Sequence, residues 1–510
     1  MLLKLVLATT SLLVASGARA EWHEASSQHF VVYSDDTAEH VKDFTTRLEK
    51  FDKAVRMLRG VPDSRRGPAA RVTVYVLDDI DDVQRLHSGG GNVAGFYIPR
   101  ASGSTAYVPR RINGGSTGIS AQAVLLHEYA HHFMFNDWPS AIFPKWFVEG
   151  FAEFHATAKF GDDGSVTFGA PPLYRTYGVA AMNTMPMQKL LKPDPGKLSD
   201  AETYVLYSRG WLLTDYLTFD PTRRKQLAEY ITAINDGKSI EDATKVFGNL
   251  NALDIKLTSY VKRPTFPSIT IPGDQLTIAP VTVRAVSAGE AATMPMRIRS
   301  NAGVDDKAAQ QVVVQTRRAA QSYPADPAAQ NTLAEAEYDV KNYAQAAAAA
   351  DRALAANPKS THATLYKGMA LQAAAEAEKA TDRKRWQAIR RYYIAGNKFD
   401  NEDPAPLMLY YKSFAASGET APKSAESGLL YASALAPFDL TLRLLAARIY
   451  LRDGKVPEAR AAMTPVAYNP HGGKNAERVR ATLDVLNRDG AAAALADLSK
   501  KTIDSEKDDD

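Results

Sequence analysis

The chain contains no cysteine, so disulfides, thiolate metal ligands and a nucleophilic thiol are all excluded. It also lacks a charge excess of either sign. Its 61 Lys+Arg against 58 Asp+Glu leave a formal +3, which gives no long-range field for nucleic acid or an anionic membrane. Past residue 20, no stretch approaches the roughly 18 uninterrupted apolar residues of a membrane span. No nucleic-acid partner is expected, and no integral membrane segment once the leader is removed.

That leader is residues 1–20, "MLLKLVLATTSLLVASGARA": an early Lys4, an apolar run, then Ala18-Arg19-Ala20. The pattern is a secretory signal with a small-x-small cleavage site. Cleavage after Ala20 leaves Glu21 first in a mature chain of 490 residues (510 less 20), and loss of Lys4 and Arg19 lowers the charge from +3 to +1. An exported chain without cysteine points to the bacterial periplasm. The other terminus, 501–510, ends in "SEKDDD" and is expected to be an acidic, disordered tail.

Residues 21–265 mix strand and helix patterns. "HFVVYS" (29–34) and "RVTVYVL" (71–77) are β-branched and aromatic runs, and "AEHVKDFTTRLEKFDKAVRMLRG" between them has helical spacing and ends in Gly60. "NVAGFYIP" and "STAYVP" predict a hairpin. A helix is predicted from Ser120, a plausible N-cap, to Phe135, and a second from Pro144 carrying "KWFVEGFAEFHATAKF". The order makes this an α+β or mixed α/β domain. Residues 266–304 turn rich in Pro, Thr, Val and Ile, and read as either a β-type connector or a loose linker. Residues 305–500 are alanine-rich and helical, with a period. Prolines at 324, 358, 404, 437 and 470 are spaced by 34, 46, 33 and 33. A 33–34-residue helix-turn-helix rhythm resembles tetratricopeptide repeats, with the long unit carrying an insertion near "AEAEKATDRKRWQ". Such an array forms an all-α solenoid, and its concave face is expected to bind a protein partner or the substrate.

The chemistry concentrates in "LLHEYAHHFMFNDWPSAIFPKWFVEGFAEF" (125–154). His127 and His131 stand one helical turn apart on one face, so both imidazoles can meet one Zn²⁺. Glu128 lies beside them, placed to act on water rather than on the metal. Glu149, on the next helix beyond Pro139 and Pro144, is the third candidate ligand, leaving a position open as a catalytic zinc requires. Glu153, one turn further on, is either a hydrogen-bond partner of a ligand histidine or half of an ordinary ion pair. His132 and His155 read as packed or solvated residues, and "HSGGGN" (87–92) as a flexible rim loop.

HExxH followed by "WFVEGFAEF" resembles the gluzincin metallopeptidases, the group of thermolysin and aminopeptidase N. "P-x-W-x-x-E-G-x-A-E" is similar to bacterial peptidase-MA-like proteins, secreted and often fused to tetratricopeptide repeats. The likeness covers residues 22 to about 220. It implies a zincin-like catalytic domain with one zinc ion on His127, His131 and Glu149, and Glu128 as general base and acid. "YSRGW" (207–211) resembles the "YEKGA" segment of the aminopeptidase group, where the tyrosine stabilises the oxyanion. That implies the role for Tyr207, with Tyr204 as the fallback. The family's "GAMEN"-type grip on a free N-terminus is missing, which points away from aminopeptidase action and towards an endopeptidase on a protein or peptide substrate. Two rivals are a non-enzymatic periplasmic scaffold or assembly factor with a structural metal, and a zinc hydrolase of a non-protein amide such as a cell-wall peptide.

Overall fold

The computed structural model describes residues 21–63, 67–87, 93–111, 119–139, 141–175, 178–179, 185–192, 198–469 and 472–500. The leader, the glycine-rich segment 88–92, the repeat-marking Pro470 and the acidic tail 501–510 lie outside the described residues.

The first β-rich runs become β1 (His23–Ser26), β2 (Phe30–Ser34) and β3 (Val72–Asp79), and the expected hairpin is β4 (Phe96–Ile98) with β5 (Thr105–Arg111). β2, β3 and β5 run parallel. That requires crossovers, which α1 (Ala38–Arg59) and α2 (Ile80–Leu86) supply. α1 starts where the Thr37 side chain accepts the His40 N–H. It stops at Gly60, whose φ of 66° suits a residue without Cβ. The metal-motif helix is α3 (Ala121–Asp137), capped by Ser120, and the glutamate-bearing helix is α4 (Lys145–Ala156).

Two boundaries differ from the sequence reading. α4 ends at Ala156, short of "TAKF", because Lys159–Phe160 pair as β6 with β7 (Val166–Phe168). The stretch 266–304 is not a loose linker. It contributes β8 (Ile269–Ile271) to β7 and β9 (Thr282–Ala285) to β1, and its last part is already helix. The main sheet therefore has the order β4-β5-β3-β2-β1-β9, leaving β4 on an outer edge.

Alternation along the strands sends Val32, Val74 and Val108 to one face, packed with α1 and α3, and Tyr33, Tyr75 and Tyr107 to the other. The three tyrosines stack in a ladder with centroids 5.7 and 5.5 Å apart. Further helices complete this half: α5 (Met187–Leu190), α6 (Asp200–Phe219), α7 (Arg224–Asn235), α8 (Ile240–Thr244) and α9 (Leu250–Tyr260). α6 is fixed at its start by a reciprocal Ser199–Glu202 capping box.

Buried Asp215 on α6 accepts a 2.6 Å bond from the Tyr260 hydroxyl on α9, and burial pushes its pKa from 3.8 to about 7. Between those values the folded protein holds a proton that the unfolded chain has released. The stabilisation is therefore complete below about pH 4 and is lost as pH rises to 7. Asp215→Asn should be more stable than wild type at pH 8, by an amount of order 1–4 kcal/mol, with the difference shrinking at pH 5. Chemical denaturation at both pH values checks this, and a difference independent of pH would contradict it.

The second half is a helical repeat solenoid. α10 (Ala288–Ala302) opens it, and its Met294 and Ile298 cover the tyrosine face of the sheet. Pro295 inside this helix hid its periodicity in the sequence. After α11 (Asp306–Ala320), helix-turn-helix units follow: α12 (Pro327–Asp339) with α13 (Tyr343–Ala356), α14 (Thr361–Ala377) with α15 (Arg383–Phe399), α16 (Pro404–Ala416) with α17 (Lys423–Leu435), α18 (Leu440–Arg452) with α19 (Val456–Ala467), and α20 (Gly473–Asp489) with α21 (Ala491–Lys500). The long 46-residue unit is absorbed by extending α14 and α15 to 17 residues each. Small alanines at 346, 349, 350 and 353 are fully buried on α13, which lets neighbouring helices approach closely.

Candidate metal centre

α3 is apolar almost all round, so it runs through the core rather than along the surface. Its far side is tied to α1: Tyr129 donates to Asp52 at 2.7 Å, and Asp137 accepts from Arg56 at 2.9 Å. The remaining side carries His127, Glu128 and His131. The loop after α3 folds back with Trp138 edge-on to Phe143 and Phe151, bringing α4 alongside. α4 is buried from Trp146 to Ala156, and Glu149 and Glu153 both have zero exposure. Two carboxylates so placed require strong compensation.

For Glu149 the compensation is the histidine pair. His127 Nε2 and His131 Nε2 are 3.1 Å apart, and each lies 3.6 Å from Glu149 Oε2. Donors around a tetrahedral zinc with bonds of about 2.0–2.1 Å stand roughly 3.3–3.4 Å apart. The triangle therefore has the size and the nitrogen–nitrogen–oxygen chemistry of a three-ligand zinc site, and these residues fit the ion. Among the described residues this is the one cluster of three such side chains with converging donor atoms.

Glu153 sits behind it. It lies 3.4 Å from His127 Nδ1, accepts from the Tyr174 hydroxyl at 2.8 Å, and pairs with Arg175 Nε at 3.0 Å. It thus meets a histidine of the triangle and an arginine at once. Burial opposes a charge on His127, but the surrounding Glu149, Glu153 and Glu128 outweigh it and raise its pKa. Such a negative nest favours a cation. Glu153→Gln should weaken zinc binding about 10- to 100-fold in a chelator competition. Unchanged affinity would leave Glu153 only its Arg175 partner.

Tyr207 on α6 lies parallel to His127 with ring centroids 6.1 Å apart, and Arg175 stands 4.6 Å over its ring. Burial, then the Glu149 charge, lift the Tyr207 pKa well above the usual phenol value. Tyr204, the fallback, is half-exposed and does not line the cavity. Glu128 is half-buried and faces a cavity of about 350 Å³ that His127, His131 and Tyr207 also line. His132 is buried and bonded through Nδ1 to the Tyr97 hydroxyl at 2.6 Å, tying edge strand β4 to α3. His155 is fully buried against Phe151 O and Arg59.

The sequence reading missed Tyr174, Arg175, Tyr97 and the solenoid residues Phe438 and Arg443 that close the cavity. Tyr174 and Arg175 lie in a stretch without period, while Tyr97 falls in the predicted hairpin and Phe438 beside the repeat-marking Pro437, patterns that do not say what those side chains meet.

No protein family's sequence profile matches this chain, and no curated protein does. Among solved structures, the chain is similar to a thermophilic TPR protein from Thermus thermophilus, at 21% identity and a TM-score of 0.28, over 37% of this chain and 91% of that one.

Proposed function

We propose that the chain is an exported, periplasmic zinc-dependent peptidase of the gluzincin type, cleaving within extended polypeptides. Its solenoid, tetratricopeptide-like in its 33–34-residue spacing, binds a protein partner or presents the substrate. The observation that carries this reading is the His127–His131–Glu149 donor triangle, opening on the cavity that Glu128 lines. A zinc ion held there supplies Lewis acidity, polarising a carbonyl and acidifying water. Glu128 accepts the proton from the attacking water and returns it to the leaving amine. Tyr207, stacked on His127 at the cavity wall, offers its hydroxyl to the developing oxyanion. β4, an edge strand beside the cavity, offers backbone groups to an extended peptide by strand addition.

The purified protein should bind one zinc per chain and hydrolyse an unfolded protein. Chelation should stop hydrolysis and added zinc should restore it. Stoichiometric zinc with no hydrolysis of any peptide or unfolded protein would favour the non-enzymatic scaffold instead.

A further inference from the structure

The cavity above the metal residues is built across both halves of the molecule. One wall is α3 with Phe96 and Tyr97 of β4; the other is Phe438, Leu440, Arg443 and Pro465 of the solenoid. This second wall is fixed. Asp439 accepts the Ala101 N–H at 2.8 Å, Asn301 O accepts from Arg100 at 2.8 Å, and Ala101 is buried in one apolar cluster with Leu429, Phe438 and Leu442. The Phe438 ring lies 5.4 Å from that of His132.

Arg443 is the anomaly in this wall. Four arginines are buried to this degree among the described residues. Arg56 meets Asp52 and Asp137, Arg209 meets Asp254, and Arg390 meets Glu419. Arg443, only 7% exposed, forms no ion pair with any described residue. Its Nε and Nη2 donate to the carbonyls of Pro437 and Pro139, which line the same cavity; this holds the guanidinium at the cavity wall and uses two of its five N–H groups. Burial pulls its pKa down to about 10, so it remains protonated at neutral pH. A buried, preorganised guanidinium with spare donors and no counter-charge is matched by a carboxylate, which it grips with paired charge-assisted bonds.

Resting on the peptidase reading of the same cavity, we infer that Arg443 is a specificity-determining residue, which selects substrates by a carboxylate held within the span of this cavity. The carboxylate belongs either to the substrate's own C-terminus or to an Asp or Glu side chain near the scissile bond. The solenoid then contributes directly to substrate choice, beyond any partner it binds elsewhere.

The test compares acylated peptides that end in a free carboxylate, in an amide, or in an amide preceded by Glu, each hydrolysed by the zinc-loaded enzyme and by Arg443→Met. Wild type should prefer at least one acid form over the plain amide by about tenfold or more in kcat/KM, and the variant should lose that ratio. Preference for the first peptide assigns the C-terminus, and preference for the third assigns the side chain. A merely structural clamp would lower all three rates together and leave the ratio standing, which overturns the inference, as does a wild type without acid preference. If Arg443→Met does not fold, Arg443→Lys, which keeps charge but not the fork, should show a reduced ratio, and an unreduced one overturns the inference. If no peptide is hydrolysed, calorimetric binding of N-acetyl-phenylalanine and its amide to zinc-loaded Glu128→Gln decides. An acid preference that Arg443→Met or Arg443→Lys lowers about tenfold supports the pocket while the peptidase reading falls. An acid preference equal in parent and variant overturns the pocket as well.

Discussion

Glu128→Gln should keep its zinc and lose turnover, with kcat falling about 10²–10⁴-fold or beyond detection. The two residues have the same size and shape, and Glu128 is no part of the donor triangle, so zinc stoichiometry and thermal stability should match wild type. What changes is the capacity to take a proton. Glu128 is half-buried on α3, lines the cavity, and is close enough to bear on the ionisation of Tyr97, His127 and Tyr207. It therefore stands where water meeting the metal residues would be found, among the groups that would bind substrate. A glutamine there can orient water but not deprotonate it. Metal analysis and hydrolysis of an unfolded protein, measured on the same preparation, check both halves. Full turnover in the variant would remove Glu128 from the mechanism. Loss of zinc together with turnover would instead show that the side chain supports the metal ligands.

All three residues of the donor triangle were legible because helical periodicity is a local property and a proline-marked turn returns the chain. Residues 127 and 131 must share a face of any helix containing them, and the prolines at 139 and 144 announced the turn that returns Glu149 to the same place. What the sequence could not announce was the support. Arg175 reaches Glu153 from a single turn (Leu173–Arg175) in a stretch with no period, and Phe438 and Arg443 arrive from about 300 residues downstream. These are long-range contacts without a pattern of their own. The solenoid was visible through its proline spacing, but its docking face was not. Repeat periodicity reports how neighbouring helix pairs stack and is silent on what the array leans against. The connector failed for a third reason. β8 and β9 complete sheets whose other strands lie more than 100 residues earlier, and a mid-helix proline masked α10.

Gly150→Ala should be the most damaging single-atom change in this part of the molecule. α4 and α6 cross at Gly150 and Gly210, and a Cβ on Gly150 would lie 2.3 Å from Gly210 O, 2.4 Å from its carbonyl carbon and 2.7 Å from Thr214 Oγ1. The first two are helix backbone and cannot rotate away. α4 must therefore move off α6, by roughly 1 Å to restore ordinary contact, in a densely packed core where overpacking costs about 1–3 kcal/mol and sometimes more. The candidate metal centre sits on that contact: Glu149 is the adjacent residue, and Tyr207, which stacks on His127, is on the opposing helix. Stability and zinc affinity should fall together. Gly210→Ala strikes the same crossing from the other side, its Cβ 2.4 Å from Trp146 O, so the double variant should cost less than the sum of the two singles. Gly428→Ala on α17 is the control. It meets only Leu407 Cδ2 at 3.3 Å, the end of a flexible side chain, and should be neutral or gain up to about 1 kcal/mol of helix propensity. Denaturant midpoints and zinc competition on these variants separate close helix approach from glycine's general cost in a helix. If Gly150→Ala matched Gly428→Ala in both, the tight α4–α6 crossing would not be what holds Glu149 against the two histidines.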